Sequence, residues 1–169
     1  MAPLWCKGLG VGIVTLELST PGFQTSTSGE IHVVQPSFEL QNVPASIGAT
    51  GATTPFQVVV GYSNFPHAAL VEAQAVSPGS SALAVTVTNS NGIGAQLVTA
   101  SGGAQSWTVN ILPGQSSTSG AVATGGIAFD PLSGACSPTG CSTFVDADIP
   151  GFIKTTAANR LVQITPRPL

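Results

Sequence analysis

The sequence predicts an all-β protein built as an antiparallel β-sandwich. Apolar and hydroxylated residues alternate along residues 83–88 and 106–111, which is the pattern of strands that bury one face. Clusters of Gly, Pro, Ser and Asn, such as residues 78–80 and 89–94, separate these runs at short intervals. Many short strands at this spacing, with turns between them, are typical of two antiparallel sheets packed face to face.

Several further segments carry a strand pattern. The predicted strands are residues 12–20, 29–35, 37–41, 56–60, 83–88, 95–99, 106–111, 120–129, 142–148 and 159–165. Residues 68–76 have a helix-like pattern that is equally compatible with a strand, so the sequence leaves this segment open.

The composition limits the classes of function. The chain has 169 residues, of which 7% are charged, and a formal net charge of −3 with four Lys and Arg residues in total. A nucleic-acid-binding surface needs clustered basic residues, so this class is excluded. A membrane-spanning helix needs about 20 mainly apolar residues in succession. The sequence has no such run, and we expect no membrane insertion.

Two of the three cysteines flank a turn-forming tetrapeptide. Cys136 and Cys141 enclose the sequence Ser-Pro-Thr-Gly, where a local disulfide is geometrically easy in an oxidising compartment. The alternative is a pair of free thiols in a loop. Cys6 is left over, and the sequence predicts no cofactor.

An internal repeat relates residues 1–36 to residues 130–166. Each segment contains Pro-Leu, a strand, Pro-Gly-Phe, a second strand and a final Pro, with spacings that differ by one residue. Leu16 matches Val145 in the same strand phase, although Pro-Gly turns also recur by chance in β proteins. The pattern divides the chain into the last two strands of a preceding repeat (1–35), a complete repeat (36–166) and a tail (167–169).

A truncated repeat has a physical consequence. Two strands without the rest of their sandwich expose an apolar face and unpaired edges. We therefore expect the hairpin of residues 1–35 to pack on the complete domain, to pair with a neighbouring chain, or to be poorly ordered. Exchange with residues 142–165 would lead to self-association.

The repeat landmarks resemble a known family. The segments 127–132 (IAFDPL) and 148–152 (DIPGF), together with 56–61, 83–88 and 111–116, resemble the tandem bacterial Ig-like repeats of very large secreted or cell-surface proteins. The resemblance covers nearly the whole chain. It implies an Ig-like β-sandwich, an extracellular location, and a structural or adhesive role as a spacer or stalk whose partners are neighbouring repeats. It brings no catalytic residues.

Three acids lie near one another in the sequence. Asp130 ends one predicted strand, while Asp146 and Asp148 share one face of the next. Calcium takes six to eight oxygen ligands, which three carboxylates with backbone carbonyls can supply. The alternative, which the sequence favours, is a set of solvated outward-facing acids.

A loop with two aromatic residues is the best candidate for contact with a partner. Tyr62, Phe65 and His67 lie in a segment rich in loop formers, which suggests a binding module for a glycan or a protein as the alternative function. Catalysis is not predicted, because the sequence has no G-x-S-x-G motif and nothing singles out one serine as a nucleophile.

Overall fold

The computed structural model describes residues 10–132, 136 and 138–166, and in this part of the chain the protein is all-β, as predicted. The chain divides into two compact units, Met1–Gln35 and Pro36–Leu169. The predicted tail 167–169, Cys6 and the rest of residues 1–9 lie outside the described residues. No helix in the described part of the chain has the length and hydropathy needed to span a membrane.

The described part of the first unit is a β-hairpin, each arm of which contains two short strands. They are β1 (Gly12–Val14), β2 (Glu17–Leu18), β3 (Ser26–Thr27) and β4 (Ile31–Val33). β1 pairs with β4 and β2 with β3, both antiparallel. At the tip, the Phe23 N–H donates to the Thr20 carbonyl at 3.1 Å, and Gly22 has a φ of 81°. A type II turn requires this left-handed conformation, which glycine adopts without steric cost.

The described residues of the hairpin form no core of their own. None of its described residues is buried, and Leu18 and Phe23 are 68% and 78% exposed. A lone two-stranded hairpin is at best marginally stable in water, because one ladder of hydrogen bonds buries little apolar surface.

The second unit contains two sheets. Its strands are β5 (Ser37–Gln41), β6 (Ser46–Gly48), β7 (Thr54–Tyr62), β8 (Glu72–Ala73), β9 (Leu83–Asn89), β10 (Ala95–Thr99), β11 (Gly102–Ala104), β12 (Ser106–Ile111), β13 (Ile127–Pro131), β14 (Cys141–Asp148), β15 (Ile153–Lys154) and β16 (Asn159–Thr165). The seven-stranded sheet has the order β11-β10-β13-β7-β5-β15, with β8 also paired to β7. The five-stranded sheet has the order β12-β9-β14-β16-β6.

Among the described strands of this unit, pairing is antiparallel except at two positions. β15 runs parallel to β5, and β16 runs parallel to β6. The first two strands of the unit lie in different sheets, β5 in the seven-stranded sheet and β6 in the five-stranded sheet. Each of these two strands pairs with a strand near the C-terminal end of the chain, and the local sequence pattern does not predict this long-range pairing.

One hydrophobic core joins the two sheets in a sandwich-like arrangement. The alternation predicted for β9 and β14 places Val85 and Val145 in the interior, fully buried. They belong to one cluster with Phe38, Phe56 and Phe129, which are also fully buried and come from the seven-stranded sheet. Burial of apolar surface in this way stabilises the folded state by about 25 cal/mol per Å².

Three predicted segments differ from the structure. The strand predicted at 12–20 is interrupted, since β1 ends at Val14 and β2 begins at Glu17. The strand predicted at 120–129 begins only at Ile127, because residues 122–124 form a 3-10 turn and Gly125 has a φ of 89°. The ambiguous segment 68–76 forms no helix and contributes only the short strand Glu72–Ala73, which pairs antiparallel with the end of β7.

Replacing a core phenylalanine tests the packing between the sheets. We expect Phe129→Ala to lower the free energy of unfolding by about 3–5 kcal/mol, because it leaves a cavity between the sheets. Phe144→Ala is the matched control: this side chain is 49% exposed on β14, and its loss should cost about 1 kcal/mol or less. Urea unfolding of both variants measures the difference, and equal losses would contradict this assignment of the core.

Candidate functional site

The predicted contact loop connects β7 to β8 and is closed at its base. The chain leaves β7 at Tyr62, and the Val71 N–H donates back to the Tyr62 carbonyl at 2.8 Å. Tyr62 and His67 are half-buried, whereas Phe65 is 89% exposed. The loop therefore presents one aromatic side chain to solvent above two that are partly packed.

A chain of hydroxyl and imidazole groups supports the loop from below. The hydroxyl oxygens of Ser37 and Ser63 are 2.6 Å apart, and the Ser63 oxygen lies 2.8 Å from Nδ1 of His67. Ser37 is fully buried in β5, so the sheet fixes the position of this chain. The Phe65 and His67 rings meet edge to face, with centroids 6.2 Å apart, and the Phe65–Pro66 peptide is cis.

A buried carboxylate provides a second anchor. Oε2 of Glu39 accepts a hydrogen bond from the Leu70 N–H at 2.8 Å, and Oε1 accepts one from Nε2 of Gln41 at 2.7 Å. Glu39 is only 9% exposed, so both oxygens need these partners to offset the loss of water.

The far side of the loop is held by backbone contacts. The N–H groups of Thr156 and Ala157 donate to the carbonyls of His67 and Ala68 at 2.9 and 3.0 Å. The loop is thus held by Ser37, by Glu39 and by the backbone of residues 156–157. A partner that binds Phe65 would lose little affinity to ordering of the loop.

The Ser63–His67 pair has the atoms of a nucleophile and a base but not the third group of a triad. Within the described residues, no carboxylate makes a hydrogen bond to the His67 ring. The geometry supports a contact surface more directly than it supports catalysis, because the exposed group is the Phe65 ring rather than the serine hydroxyl.

The structure does not bring the three candidate calcium ligands together. Asp130 lies in the seven-stranded sheet and accepts hydrogen bonds from Thr53 and Gln96 at 2.8 Å each. Asp146 and Asp148 lie on β14 of the other sheet, where Asp146 contacts Lys154 and Asn159 at 2.6 Å each. Among the described residues, no group of three or more His, Cys, Asp or Glu side chains is arranged to hold a metal ion.

The two predicted cysteines are joined in a disulfide. The Cα atoms of Cys136 and Cys141 are 5.3 Å apart, and the Gly140 N–H donates to the Cys136 carbonyl at 2.6 Å. The bridge closes a short loop immediately before β14, while Ser137 within that loop lies outside the described residues.

The sequence analysis did not identify Glu39 and Ser63 as anchors of the contact loop. In β5, Glu39 alternates with the apolar residues Phe38 and Leu40, a pattern that predicts an acid on the exposed face of a strand, so the local sequence did not indicate its burial. Nothing in the local pattern of Ser63 distinguishes it from the other serines.

Comparison with models of known protein families and with curated proteins finds no match to this chain.

Replacing Glu39 tests the anchor of the contact loop. We expect Glu39→Gln to lower the free energy of unfolding by about 1–3 kcal/mol, because the amide has one acceptor oxygen where two donors must be satisfied. Hydrogen exchange at the Leu70 amide should become faster in the same variant.

Glu72→Gln is the control, since Glu72 is exposed on neighbouring β8 and its change should alter stability by about 0.5 kcal/mol or less. An unchanged Leu70 exchange rate in Glu39→Gln would show that the carboxylate does not hold the loop.

Proposed function

We propose that this chain is part of a non-enzymatic structural or adhesive protein of the cell surface, consisting of one Ig-like repeat and the last hairpin of the repeat before it. Its partners are then the neighbouring repeats of the same protein, and its extracellular role is to hold distance, carry load and present loops. The proposal needs neither a cofactor nor a catalytic group.

The observation that carries the proposal is the equivalence of two turns. In the second unit the Phe152 N–H donates to the Ile149 carbonyl at 3.2 Å, and Gly151 has a φ of 82°. The turn at residues 20–23 of the first unit has the same hydrogen bond, and its Gly22 has a φ of 81°. Both turns have the sequence Pro-Gly-Phe, and their matching backbone conformation supports the proposal that the two segments are copies of one repeat.

The strands before the two turns support the same relation. Leu16 and Leu18 occupy the positions that correspond to Val145 and Ala147, both of which are fully buried in the second unit. Leu16 and Leu18 therefore occupy positions that face the core in the second unit, although they are not buried in the hairpin. In a tandem array, the other strands of the preceding repeat would bury them.

An extracellular location is supported by the disulfide and by the surface. The Cys136–Cys141 bridge persists in oxidising compartments and is rare in the reducing cytosol. The exposed face of β9 and β12 carries hydroxyl and amide groups instead of charges, including Thr86, Thr108 and Asn110.

Completing the preceding repeat tests the proposal. We place residues 36–130 directly before Pro3, so that the fused protein contains two full repeats joined through the same Asp-Pro-Leu sequence. We expect the enthalpy of unfolding to be about double that of the native chain, because it scales with the number of cooperatively folded residues. The amides of β1 and β2 should become protected from hydrogen exchange.

Two substitutions in the fused protein provide the comparison. Leu16→Asp should abolish the added cooperative transition, because Leu16 corresponds to buried Val145, whereas Thr15→Asp should leave it in place, because Thr15 corresponds to exposed Phe144. If the two variants behave alike, or the fused residues unfold without cooperativity, the hairpin is not part of a repeat.

A binding module is the second candidate function, and the anchored contact loop favours it. Phe65 is nearly fully exposed on a loop held by Ser37, Glu39 and the turn after β15. An apolar ring on a rigid support is typical of residues that dominate binding interfaces.

Adhesion of beads coated with the chain to a panel of extracellular glycans and proteins tests this candidate. We expect Phe65→Ala to reduce retention by about tenfold or more on any target bound through the loop. Ile93→Ala is the control, because Ile93 is 77% exposed in a different loop. Equal retention of the two variants would exclude the contact loop as the binding surface.

A further inference from the structure

The second unit contains a groove away from the contact loop. It lies between β12, at the edge of the five-stranded sheet, and residues 115–126, and residues of the turn after β10 also line it. Its volume is about 610 Å³. This volume is within the range of sites that bind small molecules, roughly 300–1,000 Å³. We refer to it as the edge groove.

The residues that line the edge groove favour an uncharged ligand. The described residues that line it include no Asp, Glu, Lys or Arg. The walls instead carry hydroxyl, amide and backbone groups, including Ser101, Thr108 and Asn110. A charged ligand would find no counter-charge, and a wholly apolar ligand would leave these polar groups without partners. The complementary ligand is neutral and rich in hydrogen-bonding groups.

Polar groups on both walls are available to a ligand. Thr108 and Asn110 on β12 and Gln115 on the opposite wall are exposed, and their side chains make no hydrogen bond to any described residue. Amide side chains can donate and accept at the same time, which matches a sugar hydroxyl.

The groove also contains the only described tryptophan. Nε1 of Trp107 donates to the Leu97 carbonyl at 3.1 Å, which fixes the indole, and this half-buried residue is one of those that line the groove. An indole held at its polar edge offers a rigid apolar face. The C–H face of a pyranose ring is the complementary surface for such a face.

The wall opposite β12 is preorganised by side-chain hydrogen bonds. Nε2 of Gln57 donates to Oγ of Ser117 at 3.1 Å and to the Thr118 carbonyl at 2.9 Å. Oγ1 of Thr118 accepts from the Val58 N–H at 3.0 Å. These contacts tie the wall to β7, so a ligand would not need to order it on binding.

From these features we propose that the edge groove binds a neutral oligosaccharide. Asn110 is exposed on β12, whereas Trp107 alternates with it toward the core, so the oligosaccharide passes over the edge of the strand. The free amides of Asn110 and Gln115 hydrogen-bond the hydroxyls of one sugar, and Trp107 packs against the ring of the next. An extended peptide that adds to β12 is the competing occupant, because β12 pairs with β9 alone among the described strands. A peptide strand would engage one wall by its backbone and leave the amide of the other wall unused, so the oligosaccharide fits the groove better.

A glycan array that carries both neutral and acidic glycans, probed with the full chain, tests the proposal. We expect retention of neutral oligosaccharides, followed by saturable binding of the best one in calorimetry. Asn110→Ala and Gln115→Ala should each weaken its affinity about fivefold, the effect of one lost neutral hydrogen bond. Gln163→Ala is the matched control, since this exposed amide lies on β16 of the same sheet, and it should not change the affinity.

Melting curves of the variants establish that each is folded before its affinity is compared. The proposal is overturned if no neutral glycan is retained, if acidic glycans bind more tightly, or if Asn110→Ala and Gln115→Ala bind as the native chain does. If no glycan is retained and a synthetic peptide with the sequence of residues 12–20 binds at β12, the proposal is overturned and strand addition is the use of this edge.

Discussion

Apolar packing between the two sheets is the interaction on which the second unit depends. Phe38, Phe56 and Phe129 fill the interior from one sheet, and valines of β9 and β14 meet them from the other. Electrostatics contributes little by comparison: the described residues contain only two close pairs of basic and acidic side chains, and both are at least partly exposed to solvent. A protein with 7% charged residues is held together by burial of one face of each strand.

The polar groups inside this apolar frame position the surfaces that could bind a partner. Glu39 and Ser37 are buried in β5 and hold the contact loop, while buried Thr118 holds one wall of the edge groove. Every buried side-chain nitrogen or oxygen among the described residues has a hydrogen-bond partner. Because an unpaired buried polar group is costly, the contacts that satisfy the interior also make the loop and the groove rigid.

The two Pro-Gly-Phe hairpins show how the surroundings decide what a strand pairs with. After the turn in the second unit, Ile153 and Lys154 leave their own hairpin and pair with β5 before the chain returns as β16. In the first unit, Ser26 and Thr27 fold straight back on β2. The chain after the turn therefore pairs with a strand of the seven-stranded sheet in the second unit, and with the strand before the turn in the first.

The sequence by itself determined the local features of this protein. Alternation predicted β9, β12 and β14, glycine and proline marked the turns, and the spacing of Cys136 and Cys141 allowed a bridge, because each feature depends on neighbours in the chain. Only the tertiary structure decided the parallel pairs, the burial of Glu39 and the meeting of β12 with residues 115–126 in one groove. These features depend on groups far apart in the sequence, whose proximity is fixed by how the two sheets pack rather than by any local pattern.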